Sequence, residues 1–366
     1  MKTDICIVGG GPAGLSCALA LTQSGREVTV LDCAVPPIDK ACGEGLMPDS
    51  LAALADLGVR LPALGSELRG IRFFDANHAV SADFPHGVGR ALRRVVLHEI
   101  LIAQAERVGV RMLWGAKNVH TRRGRVSFNG GHIDAPLIVG ADGQKSSVRE
   151  EAGLGAVVSE RRRYGFRMHY GCAPWSRYVE IYWASHFQIY VTPVASHQVC
   201  VALISSDPHL RLDAALTMLP ELAERLRGVP RTTPEKGSLS LSRKLRRVYS
   251  DGYVLLGDAS GSVDAITGEG MCLAFKQSMA LVTALDAGDL GLYQQSHRQI
   301  SSRPRRMAAL MLVLDSNETL RRKAMAALAA HPQIFSSLLA AHVGYKPLTD
   351  VFSWRLLAFG LGVLRA

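Results

Sequence analysis

The stretch Asp4-Ile5-Cys6-Ile7-Val8-Gly9-Gly10-Gly11-Pro12-Ala13-Gly14 decides the fold. Its first five residues are almost all apolar, the pattern of a central parallel strand buried on both faces. Gly9, Gly11 and Gly14 then occupy the three glycine positions of a dinucleotide fingerprint. The first serves a tight turn, the second the close approach of a pyrophosphate, the third the packing of helix on strand. Leu15 to Thr22 is rich in Ala and Leu, so a helix follows, with its free N–H groups and positive dipole end aimed at the phosphates. After Gly25 the chain returns as Glu27-Val28-Thr29-Val30-Leu31 and ends in Asp32. An acid there is placed to accept hydrogen bonds from a ribose hydroxyl, at close to the expected spacing of roughly 20 residues.

Two distant segments repeat the device of a buried strand that delivers an Asp to a glycine-bearing loop. One is Leu137-Ile138-Val139-Gly140-Ala141-Asp142-Gly143, continuing to Arg149; the other is Tyr253-Val254-Leu255-Leu256-Gly257-Asp258, continuing through Asp264-Ala265 to Gly268-Glu269-Gly270 and a helix near Met271 to Leu285. Such an Asp binds a ribityl hydroxyl or orients backbone donors, and the glycines let main chain approach a flat ring.

With three motifs in this order, residues 1 to about 290 resemble the FAD-dependent aromatic hydroxylases and their relatives the geranylgeranyl reductases. The resemblance implies an α/β fold. A Rossmann-like FAD-binding domain of the glutathione reductase, p-hydroxybenzoate hydroxylase-like type would be joined to an antiparallel β-sheet substrate domain and C-terminal helices. It implies that Gly9, Gly11, Ala13, Gly14 and Asp32 hold the ADP half of FAD, that Asp258 holds the ribityl-pyrophosphate stretch, and that Gly268 and Gly270 sit beside the isoalloxazine. Arg94 matches an arginine used near the cofactor, and Asp142 a motif associated with both FAD and NADPH. Where relatives often carry Asp-Pro in the last motif, this chain has Asp264-Ala265, which leaves the loop less rigid. The expected division is residues 1–70, 92–158 and 245–297 for the FAD-binding domain, 71–91 and 159–244 for the substrate sheet, and 298–366 for a C-terminal helical region.

Lys40-Ala41-Cys42-Gly43-Glu44-Gly45 is similar to a Lys-x-Cys-Gly-Gly segment of the geranylgeranyl reductases, which makes Cys42 a candidate active-site thiol beside the flavin. A free cysteine is equally at home as a small apolar filler. Tyr164 to Tyr170, Tyr178 to Trp183, Phe187 to Thr192 and Gln198 to Leu203 read as strands roofing a substrate cavity. Alternation puts Gln188, Tyr190 and Thr192 on one face of the third and Phe187, Ile189 and Val191 on the other. The reductases carry Tyr-x-Trp-x-Phe-Pro here; this chain has Gln188-x-Tyr190-x-Thr192-Pro193, and the Trp-x-Trp-x-Ile-Pro run of flavin-dependent halogenases is absent. The expectation is therefore oxygen insertion into an apolar aromatic or quinone-like small molecule, with NAD(P)H as hydride source, O2 as co-substrate and a flavin C4a-hydroperoxide as oxygen donor. Reduction of an isoprenoid C=C bond and a non-catalytic flavin-binding protein are the alternatives. Tyr190, His169 and His186 are candidate bases toward a phenol-like substrate, each also readable as a half-buried sheet residue with its polar end satisfied.

Composition bounds the rest. The chain has 366 residues, 48% of them hydrophobic and 20% charged, which excludes a disordered protein and allows a large core. Seven scattered cysteines with no Cys-x-x-Cys spacing argue against a disulfide framework or a zinc site. No apolar run reaches the roughly 18 residues of a spanning helix, and residues 2–4 lack a signal-peptide layout; the expectation is a cytoplasmic protein. The net charge of +10 is concentrated from Arg298 onward, where ten basic residues face three acids. Those basic residues alternate with aliphatic rather than aromatic positions, so nucleic acid is not expected as a partner. The apolar helical runs Met307 to Leu314 and Ala324 to Ala330 and the segment Phe352 to Phe359 either pack on the substrate lobe or make a peripheral membrane contact.

Overall fold

A computed structural model describes residues 1–347. Ile5–Val8 is buried along its whole length and lies between the parallel strands Val28–Asp32 and Leu137–Gly140. Tyr253–Leu255 and Arg111–Trp114 extend this sheet on either side, and Tyr249–Ser250 adds an antiparallel edge. Central strands of such a sheet are covered by helices on both faces, which is why they read as unbroken apolar runs. Helix Pro12–Gln23 follows the first strand directly, with Pro12 at its first turn, where a missing N–H costs nothing. Helices Arg94–Arg107 and Gly270–Asp286 pack against it. The segment Phe352 to Phe359 lies outside the described residues.

The second layer is an eight-stranded sheet. Its spatial order is Gly261–Ser262, Lys236–Leu245, Val157–Tyr170, Gln198–Ser205, Phe187–Ala195, Tyr178–Ala184, Gly70–Phe74 and Ala79–Asp83. All neighbours are antiparallel except Tyr178–Ala184 with Gly70–Phe74. The expected alternation holds. Phe187, Ile189 and Val191 join Met168, Tyr170 and Leu203 in a core capped by helices Leu212–Thr217 and Pro220–Leu226. Tyr190 faces the other way, into a core with Ile181, Trp183, Ala202, Ile204 and Ile266. This inner face looks toward the dinucleotide domain.

Helix Leu290–Ser316 runs without a break through position 298, so the boundary expected at 297/298 falls inside one element. Met307, Ala308 and Met311 on this helix cover part of the inner face. Helices Glu318–Ala330 and Pro332–His342 bury Met325, Leu328, Phe335 and Leu339 against Val80, Ala82 and Val194. Among the described residues no single helix is long and apolar enough to cross a membrane, and these two reach that length only across a 106° bend.

Candidate functional site

The glycine loop is built for close approach. A Cβ on Gly14 would collide with the Gly9 carbonyl oxygen, and one on Gly9, at φ 113°, with the Ala141 carbonyl; both contacts are to backbone that has nowhere to go. A Cβ on Gly11 would meet only the Arg94 guanidinium, at 3.8 Å. Around this loop, Asp32 accepts from the Gly10 N–H at 2.6 Å and from the Ala34 N–H at 2.8 Å, so the acid that ends the second strand also pins the loop. Arg94 donates to the Ile38 carbonyl at 2.8 Å, which holds its head beside Gly11. Ala13 lies in the first turn of the helix, half-buried, with its methyl against the position a Gly257 side chain would take. His98 pairs its Nε2 with the Gly10 carbonyl at 2.7 Å, and burial holds its imidazole below the usual range.

The two Asp loops meet this one. Asp142 accepts from the Ser147 hydroxyl and the Val148 N–H, both at 3.2 Å, and its other oxygen has no partner among the described residues. Arg149, buried, reaches from the same loop to the Ala259 carbonyl at 3.2 Å and the Gln144 carbonyl at 3.0 Å, so it ties the second motif to the third. Asp258 has an exposed side chain, and desolvation by the surrounding protein pushes its carboxyl up from the usual range against the pull of Gln144, Lys40 and Arg94. The Ala265–Thr267 turn has no proline but is held by other means. Asp264 caps it by accepting from the Ile266 N–H at 3.1 Å and pairs with the buried Arg163 at 3.4 Å. Gly268 follows in the left-handed region, and Cβ atoms built on Gly268, Gly270 and Gly43 would meet nothing within 4 Å.

Gly43, Asp258, Gly268 and Gly270 are all exposed, and Gly11 has room for a side chain up to the Arg94 guanidinium. A carboxylate lacking a partner on one oxygen, a second one exposed, and a loop whose Gly9 and Gly14 leave no room for a side chain are what a dinucleotide with hydroxyls and a flat ring requires. The chemistry of these residues fits FAD.

The catalytic candidates divide. Cys42 is half-buried next to the exposed Gly43, and burial pushes its thiol up from the usual range. Tyr190 donates from a hydroxyl placed 3.1 Å from Gln188 Oε1 and 3.0 Å from the Ile266 carbonyl, and burial raises its pKa further; it braces the loop before Gly268. His186 has positive φ, at a hairpin turn away from the glycines.

His169 is fully buried beside Glu44, with Nε2 2.6 Å from Glu44 Oε2. Glu44 was not among the expected site residues. Its signal in the sequence is an acid set between Gly43 and Gly45, at a backbone position that turns out to be left-handed, φ 61°. Arg167 was missed as well. With Arg163 and His169 it lies at odd-numbered positions, hence on one face of the strand, and all three side chains are buried.

Residues 2–291 match the family described as FAD binding domain. The chain is 28% identical over 327 residues to a menaquinone reductase of Mycobacterium tuberculosis, covering 79% of this chain and 78% of the relative. It is 30% identical over 342 residues to a protein of Rhodococcus erythropolis named as a candidate 2-heptyl-3-hydroxy-4(1H)-quinolone synthase, covering 81% and 84%. Among solved structures, a flavoprotein/dehydrogenase from Cytophaga hutchinsonii superposes with a TM-score of 0.78 at 17% identity, over 94% of this chain and 93% of that one. The glycine cradle, the two Asp loops and the roofing sheet are therefore the parts of a known machine, and this chain belongs to the FAD binding domain family as an FAD-dependent oxidoreductase.

Proposed function

We propose that the enzyme is an NAD(P)H-using monooxygenase that hydroxylates an apolar aromatic or quinone-like ring. The observation that carries this reading is the use made of Gln188 and Tyr190. In the C=C reductases the corresponding strand pattern presents aromatic side chains; here Gln188 donates to Asp315 at 2.9 Å and Tyr190 is spent on Gln188 and Ile266. These positions act as struts, and an aromatic wall for an isoprenoid chain is missing from them. Val179, Ile181, Ala202 and Ile204 make one part of the inner face apolar, beside the buried Arg163, Arg167 and His169, and a face of this mixed kind suits a ring of low polarity with one or two polar substituents. The names of two relatives point the same way, one to a quinone and one to a heptyl-substituted quinolone.

When bound, reduced FAD supplies the electrons and the activation of O2. This chain's residues do the remainder: Asp32, Arg94 and the glycine loop fix the cofactor, Tyr190 and Asp264 fix the loop beside its ring, and the roofing sheet keeps bulk water from the reacting atoms. The test uses FAD-reconstituted protein with NADPH and a panel of alkylquinolones, naphthoquinones and alkylphenols. Hydroxylated product carrying an atom from isotopically labelled O2, and none under anaerobic conditions, is expected. Full conversion without O2 replaces this reading with the C=C reductase, which the Lys40–Gly45 segment and the likeness to menaquinone reductase favour.

A further inference from the structure

The buried pair Glu44–His169 is not needed to hold the dinucleotide, yet the chain places it at some cost. Glu44 is a non-glycine residue in the left-handed region, its carboxylate is 2% exposed, and its partner lies 125 residues away on another element. Strained backbone of this kind persists where surrounding structure enforces it, and it gathers at working sites.

The hydrogen bonds form a line. Thr233 Oγ1 accepts from the His169 backbone N–H at 3.1 Å and lies 2.9 Å from His169 Nδ1. Arg167, which can only donate, lies 3.2 Å from Nδ1, so Nδ1 is the accepting nitrogen and the Thr233 hydroxyl turns its proton to the same atom. The ring proton thus sits on Nε2, and Nε2 donates to Glu44 Oε2. Glu44 Oε1 accepts from the Arg94 N–H at 2.9 Å, and the Glu44 N–H donates to Cys42 Sγ at 3.4 Å. Thr233 is half-buried at the outer end, and the inner end abuts Gly43 and its open space. Glu44, His169 and Cys200 lie close enough to suggest three metal ligands. However, Arg167 faces the cluster from its own strand, Arg94 faces it from the helix it begins, and the imidazole and carboxylate already bind each other. A cation there would meet positive charge on two sides.

We infer that Thr233, His169 and Glu44 form the route by which a solvent proton enters the site. Every turnover of an NAD(P)H-dependent flavoenzyme of this class needs one. In hydroxylation, substrate, O2, NAD(P)H and one proton give hydroxylated product, NAD(P)+ and water; in C=C reduction, alkene, NAD(P)H and one proton give alkane and NAD(P)+. In both, the hydride carries the two electrons and solvent supplies the proton. The transfer runs inward in balanced steps. Thr233 gives its hydroxyl proton to Nδ1 and regains one from water, Nε2 releases its proton to Glu44, and Glu44 passes it to the group that turnover reduces, the departing oxygen in hydroxylation or the alkene carbon in C=C reduction, and is a carboxylate again. His169 then returns to the Nε2–H form by ring reorientation or proton exchange. The charged and titratable groups facing the pair are Arg167, Arg94, Cys42 and Cys200, with Asp39 and Lys236 behind Arg167. This inference rests on the chain being an NAD(P)H-linked flavoenzyme, but not on oxygen insertion over reduction.

Two measurements test it. In the 15N NMR spectrum of the whole protein, the His169 imidazole should be the neutral Nε2–H form, identified by its loss in His169→Asn; a proton on Nδ1 alone overturns the line. In stopped flow, the holoenzyme is reduced anaerobically with NADPH and then mixed with O2 without substrate, a reaction that yields H2O2 and also consumes one proton. Thr233→Val, which keeps the side-chain shape, should slow the oxidative step at least about fivefold and alter its solvent isotope effect and pH profile, while flavin reduction by NADPH stays within about twofold; Thr233→Ser should restore the step. Unchanged oxidative kinetics, isotope effect and pH profile in Thr233→Val and Glu44→Gln, with FAD still bound, overturn the inference. Anaerobic product formation, by contrast, would overturn only the monooxygenase reading.

Discussion

A methyl group at Gly14 has no room, because the Gly9 carbonyl oxygen occupies the space where its Cβ would lie and both atoms are backbone. Gly14→Ala must therefore push the helix off the first strand and spoil the phosphate end of the cleft. We expect the variant to lose copurified flavin and about 1–3 kcal/mol of stability, the usual cost of overpacking; retention of flavin absorbance at wild-type level would refute this. Asp32→Ala should instead weaken FAD by about tenfold to a hundredfold in a titration, because hydrogen bonds to a charged group are worth about 1.5–3 kcal/mol each. His297 gives a pH prediction. It shares a hydrogen bond of 2.8 Å with Ser260, and burial, reinforced by Arg305 and Arg298, lowers its pKa from 6.5 to about 4. Between those values the unfolded chain binds a proton that the folded protein refuses, so stability falls as pH drops through the window, by up to about 3 kcal/mol, and changes no further below it. Urea melts of His297→Gln should show a shallower slope from pH 6.5 to 4 than the wild type; equal slopes would exclude His297 as the cause. The glycines and the three Asp residues were legible because each sits inside a local strand-turn-helix whose spacing is set by backbone geometry. Glu44 and Thr233 were not, since their partner His169 lies 125 and 64 residues away and no local pattern marks such a meeting.

At the scale of elements, the four strands that build the roof were readable from period-two alternation, and the burial of Phe187, Ile189 and Val191 against one core and Tyr190 against another confirms the parity. The long C-terminal helix was less readable. Pro304 in Ser301-Ser302-Arg303-Pro304 is a stop signal by local rules, yet Leu290–Ser316 continues through it because its flanking turns are anchored. One anchor is Arg303, which reaches Asp49 at 3.3 Å; another is Asp315, which meets Arg163 at 3.2 Å. Arg163 also pairs with Asp264, so a single buried guanidinium joins the sheet, the turn before Gly268 and the helix. Removing it leaves two buried carboxylates without a counter-charge. Arg163→Ala should cost about 3–5 kcal/mol in urea denaturation and, if the turn that Asp264 caps lies at the flavin as proposed, should release flavin early in the melt. A loss under 1 kcal/mol would mean that water replaces the guanidinium readily, and the coupling of sheet to turn would have to be abandoned.

For the whole molecule, the uneven charge turns out to bear on assembly of the layers. Up to His297 the chain carries 32 basic and 29 acidic residues, so most of the +10 lies beyond it. Several of those late basic residues are internal ties rather than a free surface. Arg321 is buried and donates to the Leu314 carbonyl, Arg305 donates to the Arg243 carbonyl at 2.9 Å, and Arg303 reaches Glu269 at 3.5 Å. His342 lies 3.2 Å from the Thr267 carbonyl, at the foot of the helix whose Phe335 meets Phe73 of the sheet with ring centroids 4.7 Å apart. Helix Pro332–His342 thus touches the substrate sheet through Phe335 and the Ala265–Thr267 turn through His342. A helix held at both ends transmits looseness from one layer to the other. Phe335→Ala, a large-to-small change at a residue 4% exposed, should cost about 3–5 kcal/mol. If the helix couples the layers, flavin release and loss of helical circular dichroism will move down in temperature together, as one transition. Two separated transitions, with flavin leaving at the wild-type temperature, would show that the dinucleotide domain holds its cofactor without help from the C-terminal helices.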